Sequence, residues 1–180
     1  MGQRAWSWWV HSYLRCWHRL QVSGREHLPT ATPFVLVANH TSHLDALVLA
    51  SLVPWRTRRS LYPIAAGDVF FESPPRAMLS AFLLNALPMQ RRSMGRHALQ
   101  RFKPGLGMLV AATDIPVVPC HLDGAFEAWP RQGRWPRPRR VSVRIGQPLS
   151  FAGATDDREG WKQVASDVEA AVRAQSVMVV

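Results

Sequence analysis

Lysine is nearly missing from this 180-residue chain. Lys103 and Lys162 are its only two, so almost all of the positive charge is arginine. Acidic residues are scarce too, 12 against 22 lysines and arginines, for a net charge of +10. Such a field favours anionic partners: nucleic acid, anionic lipid or a phosphorylated substrate. Part of the arginine, alanine and proline excess is also what a GC-rich genome writes into any protein. Cysteine is limited to Cys16 and Cys120, far apart and in neither a metal-binding nor a redox spacing, which suits a reduced, cytosol-facing protein. Long apolar runs are missing. Stretches such as Ala46 to Leu49 fall far short of the ~20 residues a membrane span needs. The first residues are interrupted by Arg4, His11 and Arg15 and do not read as a signal peptide. What is present, 47% hydrophobic residues, excludes a disordered chain and suffices for one domain with a single core.

Residues 4–20 read as an amphipathic helix. Trp6, Trp9, Tyr13, Trp17 and Leu20 fall on one stripe, and Arg4, His11, Arg15, His18 and Arg19 on the other side. Aromatic residues opposite basic ones suit a helix lying in a bilayer interface; packing on the domain core is the competing reading. Phe34 to Ala38 is a continuous apolar run, the pattern of a strand buried on both faces of a parallel sheet. A polar turn, Asn39 to His43, leads into an apolar helix over Asp45 to Leu52 that Pro54 stops. Further strands are expected at Tyr62 to Ala65, Leu87 to Gln90, Ile115 to Leu122 and Val141 to Ile145. Further helices are expected at Pro74 to Ala86, Pro104 to Ala112 and Arg158 to Arg173, the last capped by Thr155. Strands alternating with helices predict an α/β fold, a single domain with a mostly parallel sheet flanked by helices behind the N-terminal amphipathic helix. The expected division is 1–20 for that helix and 21–180 for the domain.

The segment Asn39-His40-Thr41-Ser42-His43-Leu44-Asp45 lies where a strand gives way to a helix, the end at which open α/β sheets form sites. The five-residue offset lets His40 in the turn meet Asp45 on the first helical turn. A carboxylate on one imidazole nitrogen fixes the tautomer and makes the other nitrogen the base. It also stabilises the imidazolium that forms. Two other readings stand beside this one. His40, His43 and Asp45 could bind a metal, although no further cluster completes such a site. Alternatively Asn39 and Ser42 are helix caps and His40 a surface residue.

At these residues the chain resembles the phospholipid/glycerol acyltransferase family, whose first motif is Asn-His, four residues, then Asp. Asn39, His40, Ser42 and Asp45 match it. Leu87-Pro88-Met89-Gln90-Arg91 resembles the second motif, Phe102-Lys103-Pro104-Gly105 the stretch after the third, and Ile115 to Cys120 the fourth. The resemblance runs in order from about residue 20 to 150. It implies that His40, oriented by Asp45, deprotonates the hydroxyl of a glycerol-phosphate-type acceptor such as lysophosphatidate. The alkoxide then attacks the thioester of acyl-CoA or acyl-carrier protein, with no cofactor and no metal. It implies substrate-binding roles for Asn39, Ser42, Arg91, Lys103 and Gly105, with Arg91 holding the acceptor phosphate. It also implies a peripheral enzyme of phospholipid biosynthesis on the cytoplasmic face of the cell membrane, bound to an anionic surface.

The family's third motif, Phe-Pro-Glu-Gly-Thr-Arg, has no counterpart: none of Glu26, Glu72, Glu127, Glu159 and Glu169 sits in that context. His97-Ala98-Leu99-Gln100 runs straight into Arg101-Phe102-Lys103, as an internal deletion would leave it. The expected consequences are one sheet strand fewer than the family, impaired phosphate binding, weak or absent turnover and reduced stability. The runner-up function is a non-catalytic membrane-surface module that retains the family fold. Nucleic-acid binding through Arg131 to Arg140 comes last, because no helix-turn-helix, zinc-finger or RNA-binding pattern accompanies that run. Cys120, in an apolar strand, reads as a small core residue and not as a nucleophile.

Overall fold

The computed structural model describes residues 2–30, 33–42, 44–54, 57, 60–62, 64–66, 87–89, 104–130, 133 and 135–177. The expected helix over Pro74 to Ala86, the junction at Gln100–Arg101, and His43, Arg91 and Lys103 lie outside them. The helices are α1 (Gly2–Cys16), α2 (Asp45–Leu52), α3 (Gly105–Val110), α4 (Ala125–Ala128) and α5 (Arg158–Val177). The strands are β1 (Gln21–Ser23), β2 (Val35–Ala38), β3 (Ile64–Ala66), β4 (Leu87–Met89), β5 (Val117–Asp123) and β6 (Ser142–Ile145). The expected mixed α/β architecture is present. A four-stranded sheet runs in the order β1-β6-β5-β2, and β3 pairs with β4 in a second sheet. Three of these four pairings are parallel and only β5–β6 is antiparallel, so the sheet is mostly parallel as the apolar run at Phe34 to Ala38 predicted.

By main-chain contacts the chain forms two compact units, 1–14 with 46–98 and 15–45 with 99–180. In the first, Val10 and Leu14 of α1 and Val48 and Leu52 of α2 are buried. Helix α1 buries Val10 and Leu14, four residues apart, while Trp8 and Trp9 remain exposed and Trp9 stacks on Tyr13 at 5.5 Å. It differs from its expected extent in stopping at Cys16, not residue 20. Arg19 takes a left-handed backbone (φ 47), and the His18 carbonyl turns outward to accept the Val141 N–H at 3.0 Å. His18, expected on the wet face, is therefore fully buried.

The second unit holds the four-stranded sheet and a core built on α5. Val164, Val168 and Val172 recur every four residues and pack on Val37, Val117 and Val110. Burial of each such side chain contributes about 1.5–3 kcal/mol. The opposite face of α5 is polar, with Lys162–Glu159 and Arg173–Glu169 ion pairs. The cap is Asp157 and not Thr155 as expected: its Oδ1 accepts the Glu159 and Gly160 N–H groups at 3.0 and 2.7 Å. Those bonds, led by Gly160, hold its carboxyl below the usual range. Helix α3 crosses α5 so closely that a Cβ on Gly107 would stand 2.3 Å from the Trp161 carbonyl oxygen, so only glycine fits.

Pro119 sits inside β5, where a missing N–H ordinarily breaks a ladder. The structure gives the reason it is tolerated. Cys120 faces Ile145, the last residue of β6, which places Pro119 opposite Gly146 beyond the end of that strand. The Pro119 carbonyl still accepts the Gly146 N–H at 2.8 Å.

Candidate active site

Strand β2 ends at Ala38 beside Cys120 of β5. The next residue, Asn39, continues the ladder with its side chain. Its Nδ2 donates to the Leu122 carbonyl at 2.8 Å and its Oδ1 accepts the Leu122 N–H at 2.7 Å. The main chain is thereby released to turn, and His40 leaves the carboxyl end of the sheet with a side chain 53% exposed.

The turn closes on Asp45. Its Oδ2 accepts three hydrogen bonds: from His40 Nδ1 at 2.8 Å, from the Thr41 N–H at 2.7 Å and from the Ser42 N–H at 2.9 Å. The Asp45 side chain is only 3% exposed. A carboxylate can only accept, so Nδ1 of His40 carries the proton of that bond and Nε2 is the basic nitrogen. The expected pair is thus formed, and it joins an exposed imidazole to a buried carboxylate fixed by two main-chain donors. Oδ1 of Asp45 is buried and makes no hydrogen bond among the described residues.

Ser42 is fully buried. Its hydroxyl donates to the Trp129 carbonyl at 2.7 Å and accepts the Leu44 N–H at 3.0 Å, and its backbone bridges to Pro130. It caps the approach to α2 and also ties the turn to the segment after α4. That segment is placed by Gly124, whose backbone is left-handed (φ 74) at the β5–α4 turn. A Cβ there would lie 2.2 Å from the Arg140 carbonyl oxygen.

Asn39 and Ser42, both expected to bind substrate, have side chains hydrogen-bonded to main-chain groups, Leu122 for one and Trp129 and Leu44 for the other. These bonds hold the His40 turn in place. Gly105 opens α3, exposed, with no atom near the position of an added Cβ. Among the described residues no hydrogen bond ties it to the His40 turn. Arg91 and Lys103 lie outside those residues. The anchors at Leu122, Trp129 and Pro130 went unread because they act through backbone groups, which carry no residue signature.

Cys120 is buried, and burial pushes its thiol up to about 12, which leaves almost no thiolate at neutral pH. Its neighbour His121 is lowered by burial and then by Arg144, against an opposing effect of Asp123. Among the described residues no group of three metal-ligating side chains is gathered. His43, the third member of the metal reading, is not among them.

A family model described as acyltransferase matches residues 19–101. The chain is 24% identical over 170 residues to the 1-acyl-sn-glycerol-3-phosphate acyltransferase alpha of Mus musculus, covering 77% of this chain and 58% of that protein. It is 30% identical over 148 residues to an uncharacterized protein of Mycobacterium tuberculosis, covering 66% and 41%. The chain therefore spans only about half the length of these curated relatives. The alignment to the mouse protein runs over 170 positions yet takes in 77% of a 180-residue chain. Positions of the relative must then lack a counterpart within the matched part of this chain, in keeping with an internal deletion. Among solved structures, the 1-acyl-sn-glycerophosphate acyltransferase PlsC of Thermotoga maritima shares the fold, with a TM-score of 0.65 at 17% identity over 97% of this chain and 78% of that one.

Proposed function

We propose, from the match of residues 19–101 to an acyltransferase family model, that the chain is a member of that family and moves a fatty acyl group from a thioester donor, acyl-CoA or acyl-carrier protein, to a hydroxyl of a glycerol-phosphate-type acceptor such as lysophosphatidate. The observation that carries this reading is the 2.8 Å bond between His40 Nδ1 and Asp45 Oδ2 at the carboxyl end of β2. Nε2 of His40 takes the acceptor's hydroxyl proton while the oxygen attacks the thioester carbonyl. The imidazolium is held by the Asp45 carboxylate. As the tetrahedral intermediate collapses, the carbon–sulfur bond breaks and the proton passes from Nε2 to the departing thiolate. One ester forms, one thioester is consumed, and no redox step is involved.

Arg91 and Lys103 are the proposed holders of the acceptor phosphate. The absent Glu-Gly-Thr-Arg segment removes a further arginine from that task, so the proposed enzyme is slow, below the 1–1000 per second common among enzymes. Its proposed place of work is the cytoplasmic side of the membrane; a lipid acceptor requires a membrane surface, and the exposed Trp8 and Trp9 of α1 support contact with one. Among the described residues no helix is long and apolar enough to cross a membrane.

The test is to incubate the chain and its His40→Ala variant with labelled long-chain acyl-CoA and lysophosphatidate on anionic vesicles. Labelled phosphatidate from the native chain alone supports the reading. Silence from both chains, each folded and bound to vesicles, favours the non-catalytic membrane module.

A further inference from the structure

The excess positive charge of this chain resides in two stretches. Residues 1–25 and 128–155 contain no aspartate or glutamate and together hold ten arginines, equal to the net charge of +10, so the rest of the chain balances to zero. Glu26 and Glu127 bound these stretches. More than a hundred residues separate them, and the fold joins them. His18 Nδ1 donates to the Arg139 carbonyl at 3.3 Å. The Val141 N–H reaches the His18 carbonyl and the Gln21 N–H the Val141 carbonyl, both at 3.0 Å. Strands β1 and β6 then run parallel from Gln21 and Ser142 onward.

The joined segments present Arg19, Arg137, Arg139 and Arg140 to solvent, together with Trp17, 49% exposed, and Trp135, 78% exposed. The ion pairs among the described residues lie elsewhere, at His40, Lys162 and Arg173. The same stretch is bonded to the catalytic turn through the Trp129 carbonyl and the Ser42 hydroxyl.

We propose that this arginine and tryptophan surface binds the anionic phospholipid bilayer that holds the acceptor. The proposal rests on the acyltransferase reading for the identity of the bilayer's cargo. Charge complementarity selects an anionic partner. Exposed tryptophans beside the arginines select a lipid interface, where an indole sits at headgroup level. Docking there brings the segment that braces Ser42 against the membrane, and with it the His40 turn.

The experiment is flotation of the full chain with phosphatidylcholine vesicles, pure or doped with phosphatidylglycerol, with duplex DNA as competitor. The variants are R137Q/R139Q/R140Q, W135A and H40A. The native chain is expected to bind doped vesicles, to release them at high salt, and to bind pure phosphatidylcholine weakly. Loss of three arginines should weaken binding on the order of 100-fold, at about 1 kcal/mol each. W135A should weaken it less, and H40A not at all. Both surface variants should keep the native melting curve and the transfer rate to a short-chain soluble acceptor. Vesicle binding untouched by the triple substitution overturns the proposal, as does salt-insensitive binding of the native chain. DNA that strips the native chain from doped vesicles overturns it in favour of a nucleic-acid surface. Failure of the acyltransferase reading is told apart by a different result: no transfer by any chain while vesicle binding follows the arginines.

Discussion

Asn39 and Leu122 are paired as though the asparagine side chain were one more peptide of β2, its amide nitrogen 2.8 Å from the Leu122 carbonyl oxygen and its amide oxygen 2.7 Å from the Leu122 nitrogen. An amide side chain is the only neutral one that reproduces both halves of a peptide group. The strand can therefore stop pairing through its main chain at Ala38 without leaving Leu122 unsatisfied, and His40 is set down at a fixed point.

Replacing Asn39 by Ala should leave two polar groups of Leu122 unpaired, at about 1–3 kcal/mol of stability for each. The kinetic signature should be a fall in kcat with the acceptor KM little changed. Ser42→Ala should behave alike through the Trp129 carbonyl. Steady-state kinetics on both variants decide the matter, and a raised acceptor KM at constant kcat would restore a substrate-binding role.

His40→Ala should lower acyl transfer by about 100- to 10,000-fold while the melting temperature stays near native, because the side chain is half exposed. Asp45→Asn should cost both activity and stability. Its new NH₂ cannot accept, and if it faces the Thr41 and Ser42 N–H groups two buried donors lose their partner, at about 2–4 kcal/mol. Parallel transfer assays and urea titrations separate the two effects.

His18 should make stability depend on pH. Burial lowers its folded pKa below the ordinary 6.5, and the bond to the Arg139 carbonyl offsets this only in part. As pH falls, the unfolded chain takes its proton first, so acid favours unfolding. The contribution is full above the ordinary value and is lost as pH drops through it toward the folded value. His121 is lowered too and adds in the same sense. Urea midpoints between about pH 7.5 and 5.5 should fall for the native chain and fall less for His18→Gln, which starts from a lower midpoint.

Two glycines should respond oppositely to alanine. Gly124→Ala forces a left-handed backbone on a residue with a Cβ and drives it into the Arg140 carbonyl, which should cost at least about 2 kcal/mol. It should also impair transfer by shifting Trp129. Gly105→Ala meets nothing and should be neutral or stabilising by up to about 1 kcal/mol. Loss of activity without loss of stability at Gly105 would mark it as a substrate contact after all. Denaturant midpoints and transfer rates on the pair provide the comparison.

Much of this could be read along the chain, because the signals were local. The apolar run before Asn39 marks a strand, although only Val37 of it is buried, Asp45 to Leu52 a helix, and the five-residue offset a histidine and a carboxylate within reach. The helix expected over Arg158 to Arg173 is likewise present in α5. What the sequence could not supply was the work of backbone groups brought from afar. Leu122 and Trp129 are 83 and 87 residues from Asn39 and Ser42, and a carbonyl has no side-chain signature. So nothing along the chain marks the Asn39 and Ser42 side chains as bonded to main-chain groups. The same holds for His18, basic by type and wet by helical phase, which Arg139 and Val141 draw out of the helix and into the interior. Residue type and spacing determined which groups could react. Only the folding of distant main chain against them decided which side chains are tied to backbone groups and hold the turn.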